Sequence, residues 1–63
     1  MLEKHSASIT GHRTSFSIEP EFWAELKRIA AERGEKVAAI IARLDKGEGN
    51  LSSKIRVWVL KNK

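Results

Sequence analysis

The stretch HRTSFSIEP, residues 12 to 20, decides the fold, because it reads as a β-strand that runs directly into a helix. Every second side chain is apolar or β-branched, and the side chains between them are polar or basic. This period of two is typical of a strand with one buried face. The buried set is Thr14, Phe16 and Ile18, and the outward set is Arg13, Ser15 and Ser17.

A strand needs a partner for its backbone N–H and C=O groups, and the sequence offers two. Residues 55–60, IRVWVL, belong to the same chain and are rich in β-branched side chains. Residues 12–18 of a second copy could instead pair about a two-fold axis and form an antiparallel ribbon. In that ribbon Arg13, Ser15 and Ser17 of both chains would face outward, and a two-stranded ribbon fits the major groove of B-DNA.

Two helices are predicted after the strand, at about residues 19–33 and 36–45. Pro20 suits the first turn of a helix, and Gly34 suits a left-handed stop. The first helix carries an apolar stripe at i, i+4, i+7 and i+8, and the second carries one at i, i+3, i+4 and i+7. The stripes are Phe22, Leu26, Ile29 and Ala30, and Val37, Ile40, Ile41 and Leu44.

The last segment, LSSKIRVWVLKNK at 51–63, is compatible with a helix or a strand. Leu51, Ile55 and Val59 recur at helical spacing, and Ser52 or Ser53 can cap a helix. We favour a helix at about 52–61. Val57 and Leu60 make it apolar nearly all round, which predicts burial against a partner on more than one side.

Composition limits the remaining classes. The 63 residues predict one domain at 12–63, preceded by a flexible arm at 1–11. Cysteine is absent, so disulfides and thiolate metal sites are excluded. The net charge of +4 favours nucleic acid or another polyanion as a partner. No apolar run approaches the ~20 residues of a membrane span, and residues 1–10 lack a secretory signal core, so we expect a cytoplasmic protein.

Catalytic chemistry has no visible basis in the sequence. We find no nucleophile–base arrangement, no Gly-rich phosphate loop and no carboxylate pair placed for acid–base work. The histidines and acids form no metal-ligating cluster. We therefore expect neither an enzyme nor a cofactor.

The order of strand, acid- and proline-started helix, glycine and second helix resembles the ribbon-helix-helix family over residues 12–45. RTSFSIEPEFWAELKRIAAERG looks like the strand and first helix of a bacterial branch, and LSSKIRVWVL looks like a third helix of that branch. The resemblance implies a mainly α fold with one short β-strand, in which two copies share a two-stranded antiparallel ribbon. It also implies an obligate homodimer that binds operator DNA sequence-specifically and represses transcription.

Residue roles follow from the resemblance. The outward strand residues Arg13, Ser15 and Ser17 match the base readers, and the start of the second helix, Lys36 and Val37, matches the place where backbone N–H groups hold a phosphate. His12 is a further candidate for a phosphate contact. Glu35 departs from the pattern, because a carboxylate there would repel phosphate unless it points away. The implied dimer core is Phe16, Ile18, Phe22, Leu26, Ile40, Ile41 and Leu44.

An alternative function is a protein-interaction module, such as the dimerising and partner-holding part of an antitoxin. Little chain follows the apolar residues 57–60. A protein partner would therefore contact the C-terminal helix itself.

Overall fold

The chain folds as a β-hairpin followed by three helices. The structure, a computed structural model, describes residues 1–9, 11–46 and 49–63, with the side chains of residues 9 and 12 outside the description. The elements are β1 (Glu3–Ile9), β2 (His12–Ile18), α1 (Pro20–Arg33), α2 (Val37–Leu44) and α3 (Leu51–Asn62). The predicted class, mainly helical with a two-stranded antiparallel ribbon, is confirmed. The three predicted helices agree with α1, α2 and α3 to within one residue at each end.

The partner of β2 is a strand that the sequence analysis missed. β1 pairs with β2 in antiparallel register from Glu3↔Ile18 to Ile9↔His12. The predicted flexible arm is therefore wrong for residues 3–9, and so is the prediction of one strand per chain. The segment 55–60 is not the partner either, since it lies within α3. The ribbon forms within one chain because residues 3–9 also alternate with a period of two.

The hairpin closes beyond the pair Ile9↔His12, the last pair of its register. Gly11 has a φ of 83°, in the left-handed region. Tight hairpin turns need positive φ so that the turn follows the right-handed twist of the strands, and glycine adopts it without a steric penalty. Gly11 is thus a hairpin turn residue and not the boundary of an arm.

The core lies between the inner face of the hairpin and the three helices. Its buried side chains come from every element after β1, and Ala7 of β1 packs against them. Of the predicted dimer core, Phe22 and Leu44 are half-buried at the margin, and the other five are buried by elements of a single chain. The buried set is Phe16, Ile18, Leu26, Ile29, Ala30, Ile40, Ile41, Ile55 and Val59.

The turn between α1 and α2 depends on Gly34, whose φ is 66°. The N–H of Gly34 donates to the carbonyl of Ala31 at 3.2 Å, and the N–H of Glu35 donates to that of Ala30 at 2.9 Å. These two bonds satisfy carbonyls that the end of a helix leaves free. Gly34 stops α1 as predicted, and the chain enters α2 three residues later.

α3 is fixed to the junction of β2 and α1. Asn50 caps its first turn by accepting a hydrogen bond from the N–H of Ser53 at 3.2 Å. The Ser52 hydroxyl donates to the Ser17 carbonyl at 2.6 Å, and Arg56 Nε donates to Glu19 Oε1 at 2.8 Å. The cap and these cross-element bonds orient α3 so that one face enters the core. The helical interpretation of residues 52–61 is therefore correct.

Two aliphatic residues of α3, one buried and one exposed, test this orientation. Ile55 is 0% exposed and Val57 is 49% exposed. We expect Ile55→Ala to lower the free energy of unfolding by about 2–5 kcal/mol, because it leaves a cavity in the core. Val57→Ala should change it by only about 0.5 kcal/mol, since surface substitutions have small effects. Urea denaturation measures both, and equal losses would contradict the placement of α3.

Candidate nucleic-acid interface

The outer face of the hairpin is polar and basic over its whole described length. Side chains directly opposite each other in an antiparallel pair share one face of the sheet. The cross-strand pairs on this face are Lys4↔Ser17, Ser6↔Ser15 and Ser8↔Arg13. These side chains are exposed, except that of Ser17, which is half-buried. The face, which we call the outer face, thus presents two cations, four hydroxyls and no carboxylate.

The three predicted base readers form one row of this outer face. Arg13, Ser15 and Ser17 all lie on β2 and point away from the helices, as their alternation with buried Phe16 and Ile18 requires. Sequence reasoning missed the second row, Lys4, Ser6 and Ser8 on β1. Its signal was present in EKHSASI, which alternates with the same period. One chain therefore supplies both rows.

Aromatic packing on the inner face holds the hairpin against α1. The His5 ring stacks on the Trp23 ring with centroids 3.9 Å apart and an interplanar angle of 16°. Phe16 lies next to both rings, at 5.9 Å from His5 and 6.0 Å from Trp23. The stack fixes the strands on a rigid support, so the outer face has a defined orientation.

The start of α2 is the second predicted contact point. Lys36 precedes the helix with an extended backbone (φ −83°, ψ 139°), and no side chain caps this end. The first N–H groups of a helix have no partner inside it and carry the positive end of the helix dipole. The exposed Lys36 and the N–H groups at Val37 and Ala38 therefore lie together as one positively polarised end. α2 itself packs against β1.

Glu35 points away from this helix start and toward two arginines. Its Oε1 lies 2.6 Å from Arg43 Nη1, and its Oε2 lies 3.1 Å from Arg33 Nε. The hydrogen bond from Arg43 lowers the pKa of the Glu35 carboxyl below its ordinary value of 4.5. Glu35 is thus ionised at neutral pH, but its charge is compensated locally. The objection that it would repel a phosphate at α2 is removed.

The side chain of His12, predicted as a phosphate contact, lies outside the described residues. Within the described ranges, no group of three His, Asp or Glu side chains could hold a metal ion. No helix in that part of the chain is long and apolar enough to cross a membrane.

The pairing of Glu35 with Arg43 makes a prediction about pH. Because the folded-state pKa of Glu35 is below its unfolded value, the pair stabilises the fold above pH ~4.5 and loses this effect as pH falls through the folded pKa. Arg43→Gln should move the pKa of Glu35 up toward 4.5. Titration of the carboxyl carbon by NMR measures this shift.

The matched control is Arg28→Gln, because Arg28 is an exposed arginine that pairs with Glu25 and Glu32. It should leave the titration of Glu35 unchanged. An unchanged Glu35 midpoint in Arg43→Gln would contradict the pairing.

A family model described as a ribbon-helix-helix domain covers residues 2–62 of the chain. The matched range starts one residue before β1 and ends with the last residue of α3, so it includes the hairpin and all three helices. No curated protein and no solved structure matches the chain at a significant level.

Proposed function

The chain belongs to the ribbon-helix-helix family, and we propose that it binds double-stranded DNA through its outer face, as a homodimeric transcriptional repressor. Domains of this family are in general DNA-binding transcription regulators that bind DNA as dimers. The observation that carries the proposal is the outer face itself, which offers two cations and four hydroxyls without a carboxylate. A site of this kind binds DNA without catalysing a reaction, so we do not propose an enzyme. We propose a bacterial protein that is located in the cytoplasm, where the DNA of a bacterium lies.

The proposed base readers are Arg13, Ser15 and Ser17. Arg13 is exposed, and an arginine can donate two hydrogen bonds to O6 and N7 of one guanine in the major groove. Serine hydroxyls donate to or accept from several base edges and discriminate less. Arg13 therefore carries most of the specificity in this proposal, and the serines adjust the fit along the groove.

The free edge of β2 supports the homodimer. The Ser17 carbonyl accepts from Ser52, which places the backbone groups of residue 17 on the side of β2 away from β1. Backbone groups alternate in direction along a strand, so the N–H and C=O groups of Arg13 and Ser15 point to that same side. Among the described residues, the structure gives these groups no hydrogen-bond partner there. We propose that two β2 strands pair antiparallel across this edge, with Ser15 on the two-fold axis.

This pairing makes a sheet in the order β1-β2-β2-β1. Four strands spaced ~4.8 Å apart span roughly 14 Å between the axes of the outer two, which exceeds the ~12 Å width of the major groove. Only the two central β2 strands can therefore enter the groove. The β1 strands then lie over the flanking backbones, where Lys4, Ser6 and Ser8 would contact phosphates.

The start of α2 and residue 12 provide further phosphate contacts in this arrangement. Lys36 supplies a point charge, and the N–H of Val37 belongs to a helix end that attracts anions. His12 flanks Arg13 in the sequence and is proposed for the same backbone. Phosphate contacts of this kind fix the register of the protein on DNA, and base contacts supply the specificity.

Removal of Arg13 tests the proposed readout. A duplex selected by the wild-type protein from a randomised pool serves as the ligand, and fluorescence anisotropy gives Kd. We expect Arg13→Ala to cost about 1–3 kcal/mol on the selected duplex and to cost less on an unrelated duplex, so that discrimination falls. Wild-type affinity should also weaken steeply with added salt, because phosphate contacts release counterions.

Arg28→Ala is the control for this experiment, because Arg28 is also exposed but lies on α1 and is paired with two glutamates. It should leave both affinities close to those of the wild type. Retention of full affinity and selectivity by Arg13→Ala would refute the readout.

A pair of proline substitutions tests the dimer edge. Ser6 and Ser15 face each other in the register, and their N–H groups point away from the partner strand, toward opposite edges of the hairpin. Proline is tolerated where a strand N–H faces solvent but cannot donate to an added strand. Ser15→Pro should therefore give a folded monomer by light scattering, whereas Ser6→Pro should stay dimeric. A dimer that survives Ser15→Pro would show that β2 is not the interface.

A further inference from the structure

α3 has an exposed apolar stripe on the side opposite its buried face. Val57 is 49% exposed and Leu60 is 60% exposed, whereas Ile55 and Val59 are buried on the other side. Ser53, Val57 and Leu60 are spaced i, i+4 and i+7, so they form one line along the helix. The small Ser53 leaves room for a partner to approach closely at one end of this stripe.

A groove of ≈ 370 Å³ runs beside the stripe. Leu44, Val57 and Trp58 supply its apolar surface, and Ser53, Lys54 and Lys61 complete its lining. An apolar surface with a few polar groups at its rim is typical of sites that hold the anchor side chain of a bound helix. Val57 belongs to both features, so the stripe and the groove are one continuous surface, here called the α3 surface.

The charge around the groove end of the α3 surface is positive, whereas Leu60 at the far end of the stripe borders Glu21 and Glu25 of α1. Residues 51–63 contain four cations, Lys54, Arg56, Lys61 and Lys63, and no acid. Glu19 compensates Arg56 on the side that faces α1, but among the residues that the structure describes the groove is lined by two lysines and no carboxylate. Lys54 is held in place by a hydrogen bond from its Nζ to the Lys46 carbonyl at 3.1 Å.

The positive charge of the groove indicates which class of partner can bind there. A second copy of the chain would bring an equally basic α3, and like charges oppose such a contact. An acidic segment would instead be attracted to the lysines while its apolar side chains fill the groove. We propose that the α3 surface binds an acidic amphipathic helix of another protein, with one large apolar anchor between Leu44, Val57 and Trp58. The surface uses none of the residues of the outer face, so this inference does not depend on DNA binding.

The experiment uses the full chain and a synthetic acidic peptide. The probe is an amphipathic helix of about 18 residues, with leucines on one face and glutamates on the other. A twin peptide carries lysine in place of every glutamate. Titration of the ¹⁵N-labelled protein should shift the amides of residues 53–61 and Leu44 with the acidic peptide, and leave them unshifted with the basic twin.

Three variants localise the binding. Leu60→Ser should weaken the binding of the acidic peptide by about tenfold, because it removes an exposed apolar contact of the stripe. Lys54→Gln combined with Lys61→Gln should weaken it and flatten its salt dependence. Leu2→Ser is the matched control, since Leu2 is 53% exposed but lies before β1, and it should bind like the wild type.

Each of three results would overturn the proposal. The basic twin could bind as well as the acidic peptide, the largest shifts could fall outside α3 and Leu44, or Leu60→Ser could leave the affinity unchanged. A fourth result would also overturn the proposal, because it would identify a different partner. If Leu60→Ser lowered the mass of the free protein in light scattering, the α3 surface would be covered by a second copy of the chain.

Discussion

The whole structure depends on the burial of Phe16 and Ile18 from β2 against the helices. Successive side chains of a strand point to opposite faces, so burying these two sends Arg13, Ser15 and Ser17 outward. A register slip of one residue would bring the polar row into the core, where its groups would lose their hydrogen bonds to water. The same interaction that stabilises the hairpin therefore also fixes the composition of the proposed DNA-binding face.

The remaining features position this face. β1 doubles it with a second polar row, and the His5–Trp23 stack attaches the strands to α1. α3 completes the core with Ile55 and Val59 and holds the end of β2 through the Ser52 hydroxyl. Buried side chains thus fix the geometry of the fold, whereas the exposed cations and hydroxyls are available for contacts with a partner. α3 has both roles, because one of its faces is buried in the core and the other remains exposed and basic.

Much of this arrangement could be predicted from the sequence, and the parts that could not have identifiable reasons. β2 and the helices were predictable because large apolar side chains mark their buried faces and Gly34 marks a turn. β1 was missed because its inner face is formed by weakly apolar residues such as His5 and Ala7, which do not stand out against a polar arm. The orientation of Glu35 depends on Arg43, eight positions later, and the Ser52–Ser17 contact joins residues far apart in the chain. Contacts of this kind follow from tertiary packing and leave no local pattern.

DNA binding by the outer face can be tested by residue-resolved NMR of the labelled protein titrated with a short B-DNA duplex of arbitrary sequence. Non-specific binding depends on phosphates, so no operator needs to be known. If the outer face binds DNA, the largest shifts will fall on both of its rows, above all on Arg13 and Lys4, and at the start of α2. Largest shifts along the exposed side of α3, with an unperturbed hairpin, would contradict it, since DNA would then bind the surface assigned to a protein partner.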